Sequence, residues 1–142
     1  MIDIFSLRVE EMAKKIKSTP YSMGYLDWNS AIKNNLTAAA IQTNANTYIK
    51  PSFKSIYSAA KNATQVEGIF ITTNTEGKFS YPITSLTWIA IDTQKSDKLD
   101  QLSDLIWWIT HEGQLYAEEN NFPPLPPKLM EAATKKLAEI EL

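Results

Sequence analysis

The stretch that decides the fold class is Ile83-Thr84-Ser85-Leu86-Thr87-Trp88-Ile89-Ala90-Ile91, which has apolar side chains on both faces of an extended chain. This pattern is typical of a strand in a sheet that is covered on both sides. The pattern after it predicts a helix capped by Ser96 or Asp97. The apolar stripe of that helix consists of Leu99, Leu102, Leu105, Ile106 and Ile109. Strands that alternate with helices in this way indicate an α/β or α+β fold.

Four other helices are predicted from apolar side chains at helical spacing and from capping residues. The first runs over residues 5–18, the second from the cap Asp27 through Lys33, and the third from the cap Ser52 to about Asn62. The fourth begins at about Lys128 and has Leu129, Ala133, Leu137 and Ile140 on one face. Gly113 weakens the helix that carries the stripe from Leu99 to Ile109, and this helix can resume after Gly113 as far as Ala117. Residues 122–127, rich in proline, predict a rigid connector between the last two helices, which we prefer to a docking site for an SH3-like partner.

Shorter strands are predicted at residues 22–26, 47–49 and 69–71, and residues 38–42 suit a strand or a helix end equally well. Turns are predicted at residues 34–35 and 44–46. Residues 74–77, Asn-Thr-Glu-Gly, have the composition of a hairpin turn. The chain therefore combines short strands, turns and helices throughout.

The composition excludes several classes of function. The 142 residues carry a formal net charge of −2, which argues against a large nucleic-acid or anionic-lipid surface. With no cysteine and one histidine, the chain has no thiol chemistry and no site of several histidines. No apolar stretch approaches the ~18 residues of a membrane span. Residues 1–5 lack the features of a signal peptide, so a chain that is the whole gene product would stay in the cytoplasm.

No catalytic set and no metal site emerges from the titratable residues, and no cofactor is expected. The acidic pairs Glu10/Glu11 and Glu118/Glu119 suit solvated surfaces, because adjacent residues on a helix do not face each other. His111 suits a surface or capping role, although a hydrolase with His111 as its base is a further hypothesis. The Trp107-Trp108 pair suits core or interface packing better than ligand stacking.

The order of several short segments resembles the C-terminal part of the phosphate-binding proteins of phosphate ABC importers. The segments are Ile16-Lys17-Ser18-Thr19-Pro20-Tyr21-Ser22-Met23-Gly24-Tyr25; Asn34-Asn35-Leu36; Ile49-Lys50-Pro51-Ser52; Tyr81-Pro82-Ile83 before Thr87-Trp88; and Trp108, Glu112-Gly113-Gln114, Tyr116-Ala117 and Leu125-Pro126. They extend across about residues 10–140. The resemblance covers nearly the whole chain but about the last two-fifths of a family member.

The resemblance implies a partial periplasmic-binding-protein-like fold of the α/β class, with a mixed sheet flanked by helices. Residues 1–142 would form one domain, with about 20–80 from the second lobe of the family and 85–142 from the first. Tyr81-Pro82 would mark a crossover between the lobes. The complete protein would be an extracytoplasmic solute receptor, not an enzyme, with inorganic phosphate or a related oxyanion and a transporter permease as partners.

The resemblance does not assign any ligand-binding residue to this chain. The family's phosphate ligands lie in earlier segments, among them an Arg followed by Ser-Gly-Thr. Arg8 is the only arginine, it precedes Glu10, and no Ser-Gly-Thr follows it. We therefore expect that the chain does not bind phosphate by itself. A structural or interaction module without a ligand pocket is the alternative function. Neighbouring elements lost from both lobes would leave exposed edges, which predicts a homodimer.

Overall fold

The computed structural model describes residues 8–92 and 98–139. Within them lie α1 (Val9–Ser18), α2 (Trp28–Lys33), β1 (Ile41–Gln42), β2 (Tyr48–Ile49), α3 (Phe53–Lys61), β3 (Thr64–Val66), β4 (Ile69–Ile71), α4 (Leu99–Thr110), two 3₁₀ turns (Glu112–Tyr116 and Glu118–Asn120) and α5 (Pro127–Ala138). The chain divides into two compact units, Met1–Ala39 and Ala40–Leu142.

The first unit contains α1 and α2. The predicted start of the first helix at residue 5 lies outside the described residues. Within them α1 begins at Val9, because the backbone of Arg8 is extended. After α1 the chain packs against the helix, since a Cβ atom at Gly24 would lie 2.8 Å from Ile16 Cδ1. The strand predicted at residues 22–26 is wrong. No strand of the described chain pairs with this segment, and Met23 is 92% exposed.

Asp27 caps α2 as predicted, and its Oδ1 accepts a hydrogen bond from the Ser30 amide at 2.8 Å. Burial alone would raise the pKa of Asp27, but hydrogen bonds from Ser30 and the charge of Lys33 together lower it below 3.8.

We therefore expect the cap to stabilise the fold fully above about pH 4 and to lose this contribution as the pH falls through the lowered pKa. NMR titration of the Asp27 carboxyl carbon should give a midpoint below 3.8. In Asp27→Asn this acid-dependent part of the stability should disappear. A midpoint above 3.8 would contradict the capping interaction.

The second unit begins with an antiparallel pair in which Ile41 faces Ile49 and Gln42 faces Tyr48. The ambiguous segment at residues 38–42 thus ends in a strand, and residues 44–46 form the predicted turn. Thr43 closes this turn, because its amide donates to the Thr47 carbonyl at 2.8 Å and the two hydroxyls lie 2.9 Å apart. A two-residue strand has few ladder bonds, so these side chains help to fix the hairpin.

Helix α3 begins at the predicted cap. Ser52 Oγ accepts from the Ser55 amide at 3.2 Å, and Ser55 Oγ accepts from the Ser52 amide at 2.9 Å. This reciprocal pair is a capping box, here with Ser in the third helical position. Ser55 Oγ also donates to the Lys50 carbonyl at 2.9 Å, which fixes the chain that enters the helix.

The hairpin turn predicted at residues 74–77 is wrong, because no strand pair flanks it. The hairpin lies earlier, where Val66 faces Ile69 across a turn at Glu67 and Gly68. Both turn residues have positive φ, 50° and 84°, as a tight two-residue turn between antiparallel strands requires. Glu is an unusual residue at such a position, so composition pointed to Asn74 and Gly77, which lie in a loop between β4 and residue 80.

The strand predicted over residues 83–91 is absent, although its composition is the most strand-like of the chain. Ile83, Trp88 and Ile89 are 68%, 59% and 53% exposed. An extended segment becomes a strand only where a neighbouring chain satisfies its backbone groups, and no described strand pairs with it. Leu86 nevertheless packs against the core, and the Thr72 hydroxyl donates to the Thr84 carbonyl at 2.9 Å.

Helix α4 begins at Leu99, and the predicted caps Ser96 and Asp97 lie outside the described residues. The predicted apolar stripe is only partly buried, because Leu105 and Ile109 are 52% and 37% exposed. After it, the expected continuation to Ala117 is a 3₁₀ turn, Glu112–Tyr116. The proline connector packs tightly: Pro126 is fully buried, and the Leu125 amide donates to Gln114 Oε1 at 2.6 Å. Pro127 is the first residue of α5, where its missing N–H costs nothing. Ile140 lies outside the described residues.

The core of the second unit is small. Ala60, Ala63 and Leu129 are buried in it, and the partly buried Phe70, Leu86 and Leu125 pack against them. Lys128 ties α5 to the same region, because its Nζ donates to the Ala63 carbonyl at 2.9 Å and lies 5.6 Å from the Phe70 ring centroid.

The chain is thus a mixed α and β structure with small sheets flanked by helices, as expected of a partial periplasmic-binding-protein-like domain. Both strand pairs of the described chain are antiparallel. No helix within residues 8–92 and 98–139 has the length and apolar character needed to cross a membrane. The division into lobes at about 20–80 and 85–142 stays a prediction.

Candidate functional site

An open groove of about 570 Å³ runs along α3 in the second unit. We call it the cationic groove. Its charged and aromatic lining consists of Tyr48, Lys50, Lys54, Tyr57, Lys61 and Phe79. Lys54, Tyr57 and Lys61 share one face of α3, because they are separated by three and four residues. Lys54 and Lys61 lie about 10 Å apart along the helix axis at the usual helical rise.

The lining of the groove carries positive charge. Three lysines line it, and none of its lining residues is acidic. Beside it, Lys78 Nζ lies 5.1 Å from the Phe79 ring centroid. Tyr48 and Phe79 are 69% and 62% exposed, so an apolar surface is open to solvent next to the cations. This combination favours an anionic ligand that also has apolar groups.

The serine hydroxyls at the groove are engaged within the protein. Ser52 and Ser55 form the capping box of α3. Ser58 Oγ lies 3.0 Å from Ser80 Oγ, which itself donates to the Glu76 carbonyl at 2.9 Å. The groove therefore offers lysine charge and aromatic surface, not a ring of donors shaped around a small oxyanion.

His111 directly follows α4 and has the predicted capping role. Its amide donates to the Trp107 carbonyl at 3.0 Å, and its ring stacks on Trp107 with centroids 4.7 Å apart. Its Nε2 lies 3.2 Å from the Thr134 hydroxyl, so the side chain links α4 to α5. A structural position of this kind gives no support to the hydrolase hypothesis.

The prediction that the tryptophan pair packs in the core is wrong, because Trp107 and Trp108 are 44% and 43% exposed. Trp107 lines a second depression beside Ser103 and Asp104, and Trp108 lies 6.1 Å from the ring of Tyr116. An interface role for the pair stays a prediction.

The other candidates lie at the surface. Glu10 and Glu11 are exposed in the first turn of α1, and Glu118 and Glu119 are exposed in the second 3₁₀ turn, in agreement with solvated faces. Arg8 is exposed before α1. Within the described ranges no group of three or more histidine or acidic side chains could hold a metal ion.

Sequence reasoning missed the cationic groove. The spacing of Lys54, Tyr57 and Lys61 is a signal that could have placed them on one face of a helix. No local pattern could have brought Tyr48 and Phe79 to that face, because the residues are 31 positions apart and meet only through the packing of loops.

Comparison with known proteins supports the motif resemblance. No family model matches the chain. The phosphate-binding protein PstS of Pasteurella multocida is 29% identical over 127 residues, which is 86% of this chain and 37% of that protein. PstS of Xylella fastidiosa is 29% identical over 126 residues, 85% of this chain and 35% of the relative. PstS of the archaeon Methanocaldococcus jannaschii is 28% identical over 114 residues, covering 70% and 29%.

The chain therefore spans about a third of the length of the relatives that it matches. This partial span is consistent with the predicted resemblance to a C-terminal part. The small sheets flanked by helices are consistent with a partial periplasmic-binding-protein-like domain. Over most of its length, this chain is similar to phosphate-binding proteins PstS.

Proposed function

We propose that the chain is the C-terminal scaffold portion of the phosphate-binding component of an ABC-type phosphate importer. The observation that carries the proposal is the similarity to phosphate-binding proteins PstS along 85–86% of the chain. The role would be solute capture outside the cytoplasm, without catalysis. Inorganic phosphate or a related oxyanion and the importer's permease would be the partners of the complete protein.

The exposed segment at residues 83–91 supports an incomplete scaffold. It is strand-like in composition, and Ile83, Trp88 and Ile89 present a large apolar surface to solvent. In a complete receptor this segment would pair with strands from the remainder of the chain, which would bury those side chains and satisfy the backbone. A second copy covering the same surface would give the predicted homodimer.

The chain alone should not hold phosphate. The groove lysines are exposed and the groove serine hydroxyls are engaged within the protein, whereas tight oxyanion sites use converging backbone N–H groups and Arg. The alternative is a structural or interaction module that retains the fold without the pocket. The open cationic groove, which suits a larger anionic partner, is the observation in favour of that alternative.

Calorimetry with inorganic phosphate tests the proposal. Residues 1–142 should show no binding heat, whereas the longest polypeptide that the gene encodes should bind phosphate if it includes the missing receptor segments. Sulfate and molybdate serve as competing oxyanions that define the selectivity. Absence of binding by that longest polypeptide would contradict the transport function and leave the interaction module.

A further inference from the structure

We propose that the cationic groove binds an acidic, aromatic turn of a second copy of this chain. We call residues 115–122, Leu-Tyr-Ala-Glu-Glu-Asn-Asn-Phe, the acidic turn. This association differs from a two-fold dimer through the apolar segment at residues 83–91. It also does not depend on phosphate binding or on the proposed transport function.

The acidic turn carries negative charge beside apolar side chains, which complements the lysines and aromatic rings of the groove. Glu118 and Glu119 are exposed next to each other on the second 3₁₀ turn. On either side of them, Leu115, Tyr116 and Phe122 are 82%, 56% and 55% exposed. Two carboxylates between exposed apolar side chains therefore match lysines that lie beside exposed aromatic rings. Opposite charges placed this way steer and orient association.

The acidic turn is held in shape by its own hydrogen bonds. The Phe122 amide donates to the Ala117 carbonyl at 2.9 Å, and Asn120 Nδ2 donates to the Tyr116 carbonyl at 2.9 Å. Gln114 fixes the start of the segment, because its Nε2 donates to the Ile109 carbonyl at 2.7 Å. A preformed turn loses little conformational entropy when it binds, which favours association.

The groove is equally preformed. The capping box fixes the start of α3, and the Tyr81 amide donates to the Ser55 carbonyl at 3.0 Å. The Thr47 hydroxyl donates to the Lys78 carbonyl at 3.0 Å, which joins the β1–β2 hairpin to the loop that carries Phe79. Both walls of the groove are thus tied together before any partner arrives.

Because the two surfaces differ, the contact is heterologous: the groove of one copy binds the turn of the next. Such contacts build open chains or rings, and their strength depends on ionic strength. Sedimentation velocity of the unmodified chain should show association that grows with protein concentration. It should weaken between about 10 mM salt, where the screening length is ~30 Å, and 1 M salt, where it is ~3 Å.

Charge reversal on each surface tests the pairing. Lys54→Glu with Lys61→Glu should weaken association by about tenfold or more, and Glu118→Lys with Glu119→Lys should do the same. Mixing the two variants should restore association, because each then offers a surface opposite in charge to one on the other. Lys14→Glu with Lys17→Glu, exposed on α1, makes the same charge change elsewhere and should have no such effect.

The neutral pair Lys54→Gln and Lys61→Gln covers the case in which charge reversal impairs folding, which far-ultraviolet circular dichroism would reveal. Three results would overturn the proposal. These are a monomer at all concentrations in low salt, association that persists in 1 M salt, and a mixture of the two reversed variants that remains dissociated. Weakening by the groove variant alone would mean that the groove takes a different acidic segment.

Discussion

Replacing Leu129 with alanine should lower the free energy of unfolding of the second unit by about 2–5 kcal/mol, the largest effect that we expect of a single substitution. Leu129 is 6% exposed and lies between Ala60 and Ala63, with Phe70, Leu86 and Leu125 around it. In the described chain, Leu129 and Leu137 are the only buried hydrophobic residues larger than alanine among those that form the core. The neighbouring alanines cannot expand to fill the cavity.

Urea unfolding followed by circular dichroism measures this effect. A domain of this size has only about 5–15 kcal/mol of stability in total, so Leu129→Ala should shift the midpoint strongly or leave the unit unfolded. Leu115→Ala is the matched control, because Leu115 is 82% exposed and its loss in dilute solution should change the stability by less than about 0.5 kcal/mol. Equal effects of the two variants would contradict the placement of the core.

Replacing Ser80 with alanine should lower the free energy of unfolding by about 1–3 kcal/mol, because it leaves buried polar groups without partners. Ser80 is 1% exposed. Its hydroxyl lies 3.0 Å from Ser58 Oγ, donates to the Glu76 carbonyl at 2.9 Å and accepts from Asn62 Nδ2 at 3.2 Å. One hydroxyl thus joins the end of α3 to the loop that carries Phe79.

Urea unfolding again gives the magnitude, and the exposed Ser85→Ala is its control. The loss should also loosen the loop around Phe79, so amide hydrogen exchange at residues 77–81 should accelerate in Ser80→Ala. A double-mutant cycle with Ser58→Ala should show coupling between the two hydroxyls. Additive effects, or unchanged exchange in the loop, would mean that this network does not fix the groove wall.

The sequence predicted those features that depend on residues close together along the chain, such as helix caps. Asp27 and Ser52 cap their helices as predicted, because a capping side chain bonds to an amide only three residues away. His111 caps the end of α4 through an equally local contact, because its amide donates to the Trp107 carbonyl four residues earlier. The motif order also indicated the similarity to phosphate-binding proteins, since the order and spacing of short segments can be read without knowing the fold.

Predictions that required a distant partner failed. Residues 83–91 have the composition of a buried strand, but a strand forms only when another chain segment supplies the ladder of hydrogen bonds. Residues 22–26 failed for the same reason. The Asn74–Gly77 composition predicted a hairpin, but the position of the actual hairpin at Glu67 and Gly68 followed from the pairing of β3 with β4.

By itself, the sequence determined the helix caps, the exclusion of thiol and multi-histidine chemistry, and a resemblance to the C-terminal part of a phosphate-binding protein. Only the tertiary structure decided that the strand-like segment at residues 83–91 is exposed and that Tyr48 and Phe79 join three lysines in the cationic groove. The physical reason is the separation along the chain of the residues that make each contact. Caps and motifs depend on contacts a few residues apart, whereas strand pairing and groove formation depend on segments that meet only when the chain folds.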